Sequence, residues 1–273
     1  MGDEGAAPLP RQRAVPASDY DTFVDWGRRL AREAPFFRAQ FEAHGARRVL
    51  DAGCGSGMHA IMWAKWGLDI VGVDPDPAML AQAEANREDA RAEVDAAGGS
   101  VVFIAAGFGE FETLGLGRFD AVTCTGNALP HVTGTEGLRR ALADFAAVLR
   151  PGGAVILHLL NHDRLIRGSI RSMAPVVRET DDGTRVFLRV MDYEPDAVLF
   201  DFVTLHRPKG AWETGASWEV TSRRSAHTAL PSDVLLPALA ETGFADVVRF
   251  GSHGGAPFDV CGDESVIIVA VRG

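Results

Sequence analysis

The chain has 273 residues, 47% hydrophobic and 23% charged, with 27 Lys and Arg against 37 Asp and Glu for a formal charge of −10. That composition is globular, excludes a wholly disordered chain, and argues against a protein held to nucleic acid by neutralising phosphates. No apolar run approaches the ~20 residues of a membrane span, the first ten residues lack a signal-peptide pattern, and Cys54, Cys124 and Cys261 are too scattered for a disulfide frame or zinc site. A reducing cytoplasm is the expected compartment.

Residues 1–17 are proline-rich and aperiodic, which predicts a flexible leader. Ser18 and Asp21 have capping-box spacing, and Phe23, Trp26, Leu30 and Ala34 follow at helical intervals. Pro35 is expected to end that helix and open a second, with Phe37 and Phe41 inward and Gly45 as its stop. A strand at 49–52 then runs into a glycine turn at 53–57 and a helix closed by Gly67. The pattern repeats: a strand at 70–73 ends in Asp74, and a helix capped by Asp76 and opened by Pro77 stops at Gly98. Strands at 101–105 and 119–124, a helix with Leu138, Leu142, Phe145 and Leu149 on one face, and a strand at 154–160 complete this part. Strands alternating with helices predict an α/β, Rossmann-like, mostly parallel sheet covered on both faces.

The rhythm changes after residue 165: successive strands at 186–191, 198–206 and 218–224 predict an antiparallel insertion, a lid over 166–230. A helix at 232–242 and strands at 247–250 and 266–271 restore the α/β pattern. The sheet then has seven strands and residues 18–273 form one domain.

An open parallel sheet binds ligands at the carboxyl ends of its strands, where strand order reverses. The turn that follows the first strand has glycine at 53, 55 and 57 but Met58 where a dinucleotide fingerprint needs glycine, and Asp51 stands where a pyrophosphate tolerates no acid. Asp51 and Asp74 instead suit a cofactor with a positive end and a ribose, Asp74 accepting the ribose hydroxyls. Met79 fits either an adenine face or core packing. His131, Asn127 and Asn161 follow the fourth and fifth strands as candidate catalytic groups, with His131 best placed as a base. The spacing of His131, His158 and His162 follows no ligand motif, so no metal is expected.

The stretch from Arg48 to Arg164 resembles the class I S-adenosylmethionine-dependent methyltransferases, through VLDAGCGSG, DIVGVDPDPAML, FDAVTC and LRPGG. CTGNALPHV and LLNHDRL are similar to the glycine/sarcosine N-methyltransferase branch of small-molecule enzymes. The resemblance implies S-adenosylmethionine as cofactor, with Gly53, Cys54, Gly55 and Gly57 around its amino-acid end. It places Asp74 and Pro75 at the ribose, Met79 near adenine, and Thr125 and Gly126 alongside. Tyr20, Trp26 and Arg29 of the leader helix are expected to close over it. The loop after the third strand lacks the acid that often meets the adenine amino group, so backbone at Ala106 and Gly107, with Phe108 on the ring, has to serve. Branch members that act on glycine carry an arginine before the asparagine after strand five; here Leu160 stands there, which predicts that glycine is a poor substrate. The partner expected is a small-molecule acceptor, methylated on an amine nitrogen, without nucleic acid or membrane; homo-oligomerisation stays open. The alternatives are oxygen methylation with His131 as base and a non-catalytic protein that binds the cofactor.

Overall fold

Each parallel strand is followed by a segment that carries the chain back across one face of the sheet, so the sequential βα units wind a single open sheet. In the computed structural model, which describes residues 17–210, 215 and 217–273, two helices come first, α1 (Ala17–Phe23) and α2 (Trp26–Ala43). They lead into β1 (Arg48–Ala52), α3 (Met58–Ala64), β2 (Asp69–Asp74), α4 (Pro77–Ala97) and β3 (Ser100–Ala105). Then come β4 (Phe119–Cys124), α5 (Gly134–Val148), β5 (Leu149–Leu160) and α6 (His162–Arg167). A second sheet holds β6 (Val176–Thr180), β7 (Gly183–Glu194), β8 (Ala197–Pro208) and β9 (Glu219–Thr228). The chain closes with α7 (Ser232–Glu241), β10 (Phe244–Phe250) and β11 (Ser265–Arg272).

The main sheet has seven strands in the order β10-β11-β5-β4-β1-β2-β3, with β10 and β11 antiparallel to their neighbours and the rest parallel. Strand order reverses between β1 and β4, and the glycine turn leaves β1 at that point. The core lies on both faces: Leu138, Leu142 and Phe145 of α5 with Leu235 and Leu239 of α7 cover one. Phe37 and Phe41 of α2 with Ala60, Ile61 and Trp63 of α3 cover the other. No described helix is long and apolar enough to cross a membrane.

The N-terminal helices break at Val24 and Asp25, not at Pro35. Asp25 caps α2, its side chain accepting from the Arg28 N–H at 3.1 Å, and α2 continues through Pro35. A proline inside a helix removes one backbone hydrogen bond; the burial of Phe36, Phe37 and Phe41 against the sheet outweighs that loss. The expected leader lies outside the described residues except Ala17, where α1 begins, and the Ser18 cap also lies outside what the structure describes.

The second sheet is antiparallel with four strands, β6-β7-β8-β9, one more than expected because the five-residue β6 was not recognised. Val198, Phe200, Phe202 and Thr204 alternate along β8, and their partners across the ladder define rows on one face: Tyr193 and His227 beside Val198, Met191 and Ser225 beside Phe200, Arg189 and Arg223 beside Phe202. Thr228 pins this sheet to the loop after β4, accepting the Gly134 N–H at 2.9 Å and donating to the Val132 carbonyl.

Candidate functional site

The glycines of the turn answer to two needs, a left-handed backbone and close packing. Gly53 and Gly55 adopt φ of +78° and +55°, and a Cβ on Gly55 would meet nothing within 4 Å, so this part of the turn borders open space. Gly57, at φ of +76°, also serves packing: a Cβ there would stand 2.5 Å from the Phe103 ring. Cys54 is partly buried, and burial pushes its thiol well up, making it an inert neighbour.

Asp51 is 1% exposed. Its Oδ1 accepts the Thr123 hydroxyl at 3.1 Å, while its Oδ2 is buried with no partner. Burial raises this carboxyl to about 7, against the Thr123 hydrogen bond and with a smaller push from Asp74. An acid with a raised native pKa binds a proton that the unfolded chain has released, so its contribution to stability is present at low pH and is lost as pH rises through about 7. A cation seated against Oδ2 reverses this by drawing the group into its charged form. Cationic-ligand binding is therefore expected to release a proton near neutrality and to tighten between pH 6 and 8. Calorimetry in buffers of different ionisation enthalpy measures the release, and Asp51→Asn removes it; buffer-independent enthalpies would contradict the assignment.

Asp74 sits at the end of β2, its carboxylate accepting the Gly55 N–H and the Asp76 N–H at 2.9 Å each. Burial raises its pKa and these two bonds oppose the rise. It holds the glycine turn and the start of α4 together while retaining acceptor capacity toward the cleft. Beside it, Pro75 is exposed and Met79 half-exposed, outside the core clusters, so Met79 is free to meet a ligand.

The loop after β3 departs from expectation. The Ala106 N–H donates to the Asp74 carbonyl at 3.3 Å, and the Gly107 N–H donates to Glu110 Oε2 at 2.7 Å. An acid therefore does stand at this edge, three residues later in sequence than the reading looked for it. Asp144 of α5, almost fully buried, shapes the loop by accepting the N–H groups of Gly109, Phe111 and Glu112 at 2.8–3.0 Å. Phe108 packs edge-on against Phe145 and lies over Gly53, its Cζ 3.7 Å from where a Cβ would be.

α1 and α2 form the opposite wall. Asp21 is no capping residue: its carboxylate accepts from the Trp26 indole at 2.8 Å and the Ser56 hydroxyl at 2.6 Å, tying the helices to the glycine turn. Trp26 is half-exposed, edge-on to His59 rather than buried in the core. Arg29 stacks 5.2 Å from the Trp26 ring, and the Tyr20 hydroxyl lies beside it, 3.3 Å from where a Gly126 Cβ would be. Arg29 Nε reaches Glu33 at 3.0 Å, and His59 Nε2 reaches the other Glu33 oxygen at 2.8 Å. Glu33 is fully buried; burial would raise its carboxyl, but the His59 hydrogen bond and the Arg29 charge hold it well below the ordinary range. Glu33, His158 and His253 place ligand atoms within 4.8 Å of one another, yet both Glu33 oxygens are already occupied by Arg29 and His59. His59 also approaches Thr125, ring Nδ1 to Oγ1 at 3.4 Å.

A cavity of about 540 Å³ opens between these helices, the ends of β4 and β5, and one face of the second sheet. Asn127 lines it with φ of +67°, its Oδ1 accepting the Leu160 N–H at 3.0 Å and its Nδ2 lying 3.4 Å from His227 Nδ1. His131 packs tilted at 56° against His227 with ring centroids 4.2 Å apart, and His227 Nε2 meets Ser225 Oγ at 3.2 Å. Burial among surrounding protein lowers both pKa values, His227 further because of His131, so the pair is neutral at pH 7. His158, expected to point into the sheet sandwich, also lines the cavity; burial and then His253 push its pKa down to about 3.

Asn161 is not a cavity group. It is 1% exposed and caps α6, its Oδ1 accepting the Arg164 N–H at 3.0 Å and its Nδ2 donating to the Val260 and Asp263 carbonyls. His162 is equally structural, its Nδ1 accepting the Leu230 N–H at 3.0 Å. His227, Glu33, Arg189 and Glu110 escaped the sequence reading.

Residues 49–153 match the family described as Methyltransferase domain. Among curated proteins, the chain is 36% identical to a glycine/sarcosine N-methyltransferase of Parasynechococcus marenigrum over 55% of this chain and 50% of that one. It is 32% identical to the glycine N-methyltransferase of Rattus norvegicus over 45% of this chain and 43% of that one. The chain thus spans about half the length of the curated relatives it matches. Among solved structures, it is similar to the sugar N-methyltransferase of a Streptoalloteichus species, with a TM-score of 0.70 at 23% identity over 100% of this chain and 98% of that one. A Clostridium acetobutylicum S-adenosylmethionine-dependent methyltransferase gives 0.71 at 15% identity, covering 94% and 97%.

Proposed function

We propose that this chain, whose residues 49–153 match a methyltransferase domain, transfers a methyl group from S-adenosylmethionine to the nitrogen of a small-molecule amine larger and less polar than glycine. The observation that carries this reading is the 540 Å³ cavity, which joins Asn127, His131 and His227 to apolar Leu160, Phe200 and Phe202. When bound, S-adenosylmethionine supplies an electrophilic methyl on a sulfonium centre. The buried, unpartnered Asp51 Oδ2 and the open side of Gly55 fit its cationic amino-acid end. Asp74 would accept the ribose hydroxyls, Met79 and Phe108 would flank the adenine, and Glu110 would stand at its edge. Tyr20, Arg29 and Gly126 line the cavity and would border both the cofactor and the acceptor.

The chain's task in an in-line displacement is to hold nucleophile and methyl close and aligned. The N–CH3 bond forms as the S–CH3 bond breaks, and the nitrogen must shed a proton. A free alkyl ammonium has a pKa near ~10, so the site must draw the proton away. His131, kept neutral by burial, accepts it, directly or through water to bulk solvent, while His227, whose two ring nitrogens face Asn127 and Ser225, holds His131 in place. Asn127 aligns the pair through its amide. The same histidines also serve a hydroxyl nucleophile, which is the competing reading. There, His131→Gln abolishes turnover and the acid limb of the pH–rate profile while cofactor binding survives; for an amine acceptor, raising the pH restores most of the rate.

Leu160 stands where the resembling glycine enzymes carry an arginine. Glycine is therefore expected to turn over poorly, measured as methyl transfer at millimolar concentration beside larger primary amines. Robust methylation of glycine sinks the proposed acceptor class.

A further inference from the structure

The cavity is positively lined in a chain whose net charge is −10: five arginines, Arg28, Arg29, Arg32, Arg178 and Arg189, against Asp25 and Glu33. Arg29 and Arg32 lie on Glu33, and Arg28 is exposed. Arg178 has no carboxylate partner among the described residues and keeps a buried, unpartnered Nε, but its other nitrogens donate to the Phe23 and Val177 carbonyls at 3.0 Å each. Arg189 differs: it is half-buried on β7, with its guanidinium 5.2 Å from the Phe23 ring, and no carboxylate among the described residues is within ion-pair distance. Glu264 is the one acid whose charge it registers, and burial, the larger effect, lowers its pKa. Holding a guanidinium away from water without a counter-charge is costly, and a ligand that brings an anion removes that cost.

We infer that the acceptor carries a carboxylate, held by Arg189, at the end of the cavity remote from the reacting nitrogen. The inference rests on the reading that the amine lies at Asn127, His131 and His227. The second sheet sets the span. Val198 pairs with His227 and Phe202 pairs with Arg189, so the two residues stand four positions apart along the strands and on opposite sides of β8. At ~3.3 Å per residue and ~4.8 Å per strand, their backbones are separated by about 13 Å along and about 10 Å across the sheet. An α-amino acid, with one carbon between nitrogen and carboxylate, cannot reach both. Phe23, Phe200 and Phe202 line the interval, which selects an apolar or aromatic spacer. A single planar carboxylate matches the guanidinium fork and neutralises its one unpaired charge. The site is thus polarised: acids at the cofactor's cationic end, an arginine at the acceptor's anionic end.

The test titrates protein saturated with S-adenosylhomocysteine against three probes: 4-(2-aminoethyl)benzoate, 2-phenylethylamine and phenylalanine. The first is expected to bind tighter than the other two by roughly tenfold to a hundredfold, the worth of a charge-assisted pair. Arg189→Met erases that preference and Arg189→Lys retains part of it. Equal affinity of wild type for the first two probes overturns the inference without any variant, as does no saturable binding of the carboxylated probe or a preference that survives Arg189→Met. Methyl transfer to the carboxylated amine with a KM unaffected by Arg189→Met sinks this inference alone and leaves N-methylation standing, whereas transfer to amines without a carboxylate is expected to be insensitive to that substitution.

Discussion

Glu33→Ala is expected to destabilise the fold by about 3 kcal/mol, the lower end of the range for removing one partner of a buried ion pair. Glu33 is fully buried between Arg29 and His59, at 3.0 and 2.8 Å, with His253 at 3.8 Å. Its removal leaves a guanidinium and two histidines facing an apolar wall of Phe36, Phe37 and Trp63. The lower end applies because the Arg29 side chain keeps 15% exposure and opens onto the cavity, where water can partly replace the carboxylate. For a domain of this size the loss corresponds to a Tm lowered by about 6–12 °C. The control is Glu84→Ala, which breaks an exposed pair with Arg87 and should change stability by less than about 0.5 kcal/mol. A Glu33→Ala loss no larger than the control's contradicts the packing role given to this cluster.

The second large effect concerns the cofactor. Asp74→Ala is expected to weaken S-adenosylmethionine binding by roughly 3 kcal/mol, more than a hundredfold, if its carboxylate accepts two ribose hydroxyls at about 1.5 kcal/mol each. The same substitution frees the Gly55 and Asp76 N–H groups, so the glycine turn loses its side-chain tie to β2, keeping only the Gly53 and Cys54 N–H bonds to the Val73 carbonyl, and the effect exceeds that of contact loss alone. Asp74→Asn keeps an acceptor without the charge and should fall between. Calorimetric affinities unchanged in both variants would show that the ribose lies elsewhere.

Much of this architecture was legible because it is local. The strand, glycine turn and helix that build the cofactor side are contiguous, and Asp76 with Pro77 marks the start of α4 in sequence as in structure. The errors share a different cause. Pro35 reads as a helix end from its missing N–H, but tertiary burial of its neighbours decides the matter. Asn161 reads as a site residue by its place after β5, yet an asparagine immediately before a helix is also an N-cap, and that local signal was available. His227, Glu33 and Arg189 come from β9, α2 and β7, and they meet only when the second sheet and the N-terminal helices close on the ends of β4 and β5. No periodicity in the chain announces that meeting. Glu110 was hidden more simply: the loop doubles back, bringing an acid to Gly107 from three residues away.

The most direct measurement incubates the protein with methyl-labelled S-adenosylmethionine and a metabolite extract and identifies every small molecule that gains label. The account predicts label on the nitrogen of an amine larger than glycine, absent when Asp74→Ala is used. Cofactor binding with no labelled small molecule, or label confined to oxygen, would contradict it.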